Sequence, residues 1–165
     1  MSKIIIRPAT PQDAQGLCDV INPLIAQGTT TAHRTPFDRD RAVHHYITPS
    51  DFISCQVAED AGRIIGFQSL QWWDRENLPD HAAEIGTFVA MGQQGRGVGH
   101  LLFAATLEHA RVSGVSVMDA TIRTDNAPGR AFYAKLGFRD HHVYRQVALS
   151  DGMVVDQVQT LFYIE

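Results

Sequence analysis

The segment Gly92-Gln93-Gln94-Gly95-Arg96-Gly97-Val98-Gly99 carries four glycines in eight residues, between a β-forming run and a helical one. Such a junction suits an anion. The first turn of a helix presents amide N–H groups with no carbonyl partner, and the aligned peptide dipoles add partial positive charge there. Glycines let the backbone come close enough for several amides to reach one phosphate oxygen. Arg96 adds a cation, and the chemistry implied is the cradling of a diphosphate. A plain strand-to-helix turn is the other reading, but turn geometry alone requires fewer glycines.

Two better-known diphosphate loops fit poorly. A P-loop places Lys after its final glycine, whereas Val98 follows Gly97. A dinucleotide fingerprint needs a further small residue after Gly99, or a glycine where His100 stands. Asp119, on the next strand, lies at a tolerable distance for a ribose contact. That motif, however, opens a repeated β-α-β array, and here antiparallel strands come first.

The eight histidines raise the question of a metal. His44-His45 and His141-His142 are adjacent pairs, whose side chains diverge on a strand and sit badly for chelation on a helix. No H-E-x-x-H spacing occurs, so no metal site is expected. Cys18 and Cys55 show neither redox nor ligand spacing and read as free thiols.

The elements that must position the loop follow from periodicity. Ile4-Ile5-Ile6 forms a strand ended by Pro8, and Thr10 caps a helix with Pro11 at its first position and Asp13 three residues on. Leu17, Val20, Ile21, Leu24 and Ile25 have helical spacing, which Pro23 is expected to bend or interrupt. A second helical stretch runs from Asp38 to Tyr46. Two strands, 54–58 and 64–70, flank a hairpin turn at 59–63, and 74–80 reads as a loop. A strand over 83–91 contains Gly86, a mark of a bulge or a close approach. A helix over 98–112, a strand over 115–122, a short helix over 128–136 and two hairpin strands complete the chain. The order is β-α-α-β-β-β-α-β-α-β-β. It implies a single α/β (α+β) domain over residues 1–165, with a mixed, mostly antiparallel sheet of about seven strands and helices on both faces.

Composition narrows the class. The net charge of −4 gives no basic footprint, so no nucleic-acid partner is expected. No apolar run is long enough for a membrane span, and Met1-Ser2-Lys3-Ile4-Ile5-Ile6 is too short for a signal peptide. A cytoplasmic location is expected by elimination.

Gln94-x-x-Gly97-x-Gly99, preceded by Val89 on a strand, resembles the Q/R-x-x-G-x-G/A signature of the GNAT N-acetyltransferases. Asn126 after a strand, then Tyr133 ahead of Gly137-Phe138, resembles that family's second signature, and Ile5-Ile6-Arg7-Pro8-Ala9-Thr10 its usual opening. The three motifs span nearly the whole chain. Within the family, Thr29-Thr30-Thr31 and Glu84 make the chain look most like the phosphinothricin- and methionine-sulfoximine-type amino-acid N-acetyltransferases.

The resemblance implies acetyl-CoA as cosubstrate and a small-molecule primary amine as acceptor, with no metal. It places the CoA pyrophosphate on the amides of Gln94, Gly95, Arg96, Gly97, Val98 and Gly99, and the pantetheine arm along Phe88, Val89 and Ala90. An attacking amine must shed a proton, which Glu84 would take. A backbone N–H near Val89 would meet the oxyanion. Tyr133 would protonate the leaving thiolate, and Asn126 would fix the cofactor end of the site. Thr31, Trp72, Trp73 and Glu84 would line the acceptor pocket. The same residues also admit plainer readings: Tyr133 as a core aromatic, Asn126 as a helix cap, Glu84 as a solvated strand residue. A homodimer is the family expectation. Peptide acetylation, and acetyl-CoA sensing without catalysis, are the competing functions.

Overall fold

The computed structural model describes residues 3–165. Met1 and Ser2, where the reading against a signal peptide begins, lie outside the described residues. The elements run β1 (Ile5–Pro8), α1 (Ala14–Gln27), α2 (Arg39–Ala42), β2 (Phe52–Asp60), β3 (Arg63–Trp72), β4 (Ala82–Val89), α3 (Val98–Ser113), β5 (Val117–Arg123), α4 (Ala127–Leu136), β6 (Arg139–Ala148) and β7 (Val154–Tyr163). This is the order expected from periodicity. A 3-10 turn, Pro11–Asp13, leads into α1, and a π-helical turn, Val43–Ile47, extends α2.

The seven strands form one sheet in the order β1-β2-β3-β4-β5-β7-β6. All neighbours are antiparallel except β4 and β5. The crossover through α3 accounts for that exception, since parallel neighbours need a long connection.

Strand alternation assigns the two faces. Val57 and Phe67 pair in register and pack with Leu17 and Ile21 of α1 and Tyr46 of the π turn. Ile85 of β4 and Met118 of β5 face the other way, against Phe103 of α3 and Tyr133 of α4. A bulge between Ala58 and Glu59 rotates the start of β3, so Ile65 joins Val98 and Leu102 on the α3 face.

Two local expectations are corrected. Pro23 neither ends nor splits α1, which continues to Gln27 and closes on Gly28 in the left-handed conformation. Its apolar neighbours Val20, Ile21, Leu24 and Ile25 are buried, and that burial outweighs the missing amide. Gly86 marks no bulge, because the β3–β4 register runs unbroken through it. The close-approach alternative holds: a Cβ there would meet Ser69 Oγ at 3.2 Å and the Phe88 ring at 3.3 Å.

Candidate active site

The site begins where two strands part. β4 and β5 pair over only three positions, ending at Glu84 opposite Asp119. Beyond them the strands splay, and a cleft of about 1200 Å³ opens between Ile85–Val89 and Ala120–Arg123. Ala90 N donates to Ile65 O at 2.9 Å, and Trp73 N to Ala82 O at 2.9 Å. By antiparallel alternation the even residues of β4 therefore bond to β3, while Thr87 and Val89, beyond the last β5 pairing, turn their carbonyls and amides toward the gap. A free strand edge lies along the cleft, with room for an extended chain to pair beside it.

The cleft runs on to the glycine loop. Gly92, Gly95 and Gly97 have φ of 85°, 83° and 77°, the left-handed region where glycine is free of Cβ strain. Gly97 is the N-cap of α3, and Leu101 N to Gly97 O, at 3.0 Å, closes the first turn. The amides of Val98, Gly99 and His100 precede that closure and have no intrahelical carbonyl. Gly99 serves packing: a Cβ there would sit 2.6 Å from the Phe132 ring of α4. Gln94 Oε1 accepts from Gly92 N at 2.9 Å, so this side chain shapes the loop.

Arg96 is placed differently from its sequence reading. Its guanidinium bonds Asp60 Oδ2 at 3.0 Å and Gln93 Oε1 at 2.7 Å, which turns it from the cleft wall toward the β2–β3 hairpin. Ala90 is also off the wall and packs instead against the core on the α1 face.

Tyr133 stands on the α3–α4 face. Its hydroxyl lies 2.8 Å from Thr87 Oγ1, and the Thr87 amide also points at the tyrosine oxygen. Gln68 Nε2 donates to Thr87 Oγ1 at 2.9 Å. Burial pushes the Tyr133 hydroxyl well above its ordinary pKa, partly offset by the Thr87 bonds. The group therefore stays protonated through neutral pH. Thr87 and Gln68 carry no motif; only the strand register reveals them, with Gln68 opposite Thr87.

Glu84 stands on the opposite face of the same strand. Burial first, then the neighbouring Asp119, raises its carboxyl to about 7, with Arg75 acting in the other direction. Asp119 is fully buried and accepts from Gln159 Nε2 at 2.8 Å and Thr121 Oγ1 at 2.7 Å, with Arg75 Nη1 at 3.6 Å. A group balanced near neutrality, at the point where the cleft opens, can take and release a proton under working conditions.

Residues 24–138 match the Acetyltransferase (GNAT) family. The chain belongs to this family. The acetyltransferase is 29% identical over 153 residues to the L-methionine sulfoximine/L-methionine sulfone acetyltransferase of Pseudomonas paraeruginosa, covering 92% of this chain and 89% of that one. It is 25% identical over 147 residues to the phosphinothricin N-acetyltransferase of Streptomyces viridochromogenes, covering 89% and 80%. In fold it matches a proposed acetyltransferase from Salmonella typhimurium solved with its cofactor acetyl-CoA, with a TM-score of 0.81, 23% identity and coverage of 99% and 95%.

The other residues singled out in the sequence divide between the cleft wall and the core of the acetyltransferase. Trp73 lines the cleft, and its Nε1 is buried with no partner among the described residues. Trp72 faces away, packing against the α3–α4 core and edge-on to His81 at 6.3 Å. Thr31 is buried at the wall, its Oγ1 accepting from His33 N at 3.1 Å. Asn126 caps α4 by accepting from Gly129 N at 3.0 Å, and its Nδ2 donates to Thr30 O at 3.0 Å. Both ends of its amide are engaged within the chain, though it borders the cleft. Arg123, unremarked in sequence, is buried and donates to Gly28 O at 2.9 Å and Thr31 O at 3.3 Å. Together Arg123 and Asn126 strap the 28–31 segment to the end of β5. Among the described residues no group of three or more His, Cys, Asp and Glu side chains gathers as a metal site.

Proposed function

We propose that this acetyltransferase moves the acetyl group of acetyl-CoA onto the primary amine of an amino acid or a close analogue. One observation carries the reading: Glu84 and the Thr87–Tyr133 pair project from opposite faces of β4, just where β4 leaves β5. A base and an acid then flank a gap with a free strand edge between them.

The shape fits the long cosubstrate of the family. The amides of Val98, Gly99 and His100 would hold the diphosphate, and the outward carbonyls of Thr87 and Val89 would accept from the pantetheine amides. Bound acetyl-CoA supplies an acyl carbon activated as a thioester. Glu84 takes the amine proton as the new N–C bond forms. The Val89 N–H is a ready donor to the carbonyl oxygen. As the C–S bond breaks, Tyr133 gives its proton to the sulfur, and the Thr87 hydroxyl and amide stabilise the tyrosine oxygen left behind.

The amino-acid class draws on the named relatives and on Trp73, whose unpartnered buried N–H would be satisfied by an acceptor carboxylate. The 74–80 loop is tied down by Asn77, which donates to Gln159 Oε1 at 2.8 Å and Tyr144 Oη at 2.9 Å. Release of free thiol from acetyl-CoA with a panel of amines tests the reading. Turnover of free amino acids is expected. Peptide-only turnover would reassign the acceptor, and tight acetyl-CoA binding with no turnover would leave a sensor. We further propose a cytoplasmic homodimer. The buried free thiols of Cys18 and Cys55 suit a reducing compartment, and β6 leaves one long edge of the sheet open to a second copy.

A further inference from the structure

We propose that the acceptor's side chain ends in a flat ring, an aromatic amino acid or an arylalkylamine, docked on a wall of rings beside Glu84. The inference rests on the acetyl-transfer reading above and deepens it.

The wall grows from β4 itself. On the Glu84 face the next side chain along the strand is that of Phe88, because Gly86 has none. Phe88 stacks on Phe67 with centroids 4.9 Å apart and planes 28° apart. Tyr46 meets Phe67 edge-on at 5.0 Å and Phe88 at 5.8 Å. His33 Nε2 lies 3.0 Å from Tyr46 Oη. His45 closes the arc, 4.5 Å from Tyr46 and 5.4 Å from His33 between centroids. Phe37 backs both imidazoles from the core. His33, His45, Tyr46 and Phe88 all border the same cleft as Glu84.

The π-helical turn is what brings His45 and Tyr46 to the cleft together. His44, one residue earlier, instead bonds back to Asp40 O at 2.7 Å. The turn is tied to the catalytic strand through Gln71, whose Nε2 donates to His45 O at 2.7 Å and whose register partner on β4 is Glu84. The rings are therefore fixed relative to the base.

Charge supports the same conclusion. Burial, then His45 and Arg41, holds the His33 imidazole down to about 4, and burial also lowers His45, with Arg41 lowering and Asp51 raising it. Both rings are neutral at pH 7. Arg41 lies outside the arc, its guanidinium 3.8 Å over the Phe37 ring. The wall itself thus offers ring faces and edges, with neutral imidazoles among them. Edge-to-face contact there favours an aromatic guest beyond what its buried area gives.

The test uses the full chain with saturating acetyl-CoA and initial rates of thiol release. Phenylalanine, tryptophan and phenylethylamine are compared with alanine, leucine, glutamate, lysine and methionine sulfoximine. Ring acceptors are expected to exceed leucine in kcat/KM by at least about tenfold. His45→Ala should reduce that preference to about threefold or less while acetyl-CoA affinity, measured by calorimetry, stays within about twofold. His45 is exposed to the cleft, so the variant keeps its core. Equal rates for leucine and phenylalanine, or a preference unmoved by His45→Ala, overturn the proposal and leave acetyl transfer intact. If no amine turns over, calorimetry with phenylalanine and leucine on the CoA-bound protein decides the proposal separately: tighter phenylalanine binding upholds the wall, and equal or absent binding overturns it.

Discussion

Replacing Glu84 with glutamine keeps the side chain's shape and removes its charge. The carboxyl is raised from 4.5 to about 7, chiefly by burial and then by Asp119. At about 1.4 kcal/mol per unit of displacement, the ionised form costs the fold about 3 kcal/mol. The folded protein holds this proton more tightly than the unfolded chain. Stability from this group is therefore full below 4.5, falls as pH rises toward 7, and is level beyond. Glutamine has no proton to lose, so the variant escapes the fall. Relative to the parent it should gain up to about 3 kcal/mol at about pH 8.5 and close to nothing at about pH 4. At roughly 2–4 °C per kcal/mol, the alkaline gain raises Tm by up to roughly 10 °C. Thermal melts at the two pH values measure it. Activity should move the opposite way, with kcat/KM down by about 10²–10⁴ and the acidic limb near pH 7 gone. A variant that gains the same stability at both pH values, or keeps the parent's rate and limb, refutes the burial argument and the base assignment together.

Tyr133→Phe should lower kcat about a hundredfold while acetyl-CoA affinity by calorimetry stays within about threefold; equal loss of both would make the hydroxyl structural. Thr87→Val removes the hydroxyl that partners the Tyr133 oxygen and leaves Gln68 Nε2 unpaired, so kcat should fall about tenfold and stability by about 1–3 kcal/mol, read by turnover and urea denaturation. Gly97→Val places a branched side chain at a φ of 77°, at the mouth of the anion cradle, and calorimetry should find acetyl-CoA binding weakened at least about tenfold. Asn126→Ala deletes the α4 cap and the strap to Thr30 O, at a cost of about 1–2 kcal/mol in urea denaturation.

The element order was legible because it rests on local signals: the two-residue hairpin turn at Ala61-Gly62, both at positive φ, the Asn126 cap and the glycine stop at Gly137. The glycine-rich turn into α3 was legible for the same reason, since its glycines and its helix start lie within one short segment. Side-chain destinations were less so. Arg96 adjoins the cradle in sequence, yet its charge is drawn to Asp60, 36 residues away, by a hairpin that periodicity cannot place in space. Asn126 matched a motif, but the motif does not say that its amide straps Thr30, which comes 96 residues earlier in the chain.

What governs the chemistry is register, and register is where the sequence is least explicit. Asp119 shows this best. On sequence alone it invited a ribose contact in a dinucleotide loop. In the fold it is buried opposite Glu84 at the last paired position of β4 and β5, and it helps raise the Glu84 carboxyl toward neutrality. Its own oxygens are committed to Gln159 and Thr121, so it has no free face to offer a ribose. A shift of one residue in that pairing would move Glu84 to the Tyr133 face and Thr87 to the acceptor face. Acid and base would exchange sides, and the amides now aimed into the gap would turn toward β3. The acetyltransferase site is thus set less by which residues the chain contains than by the three pairings that hold β4 against β5 before they part.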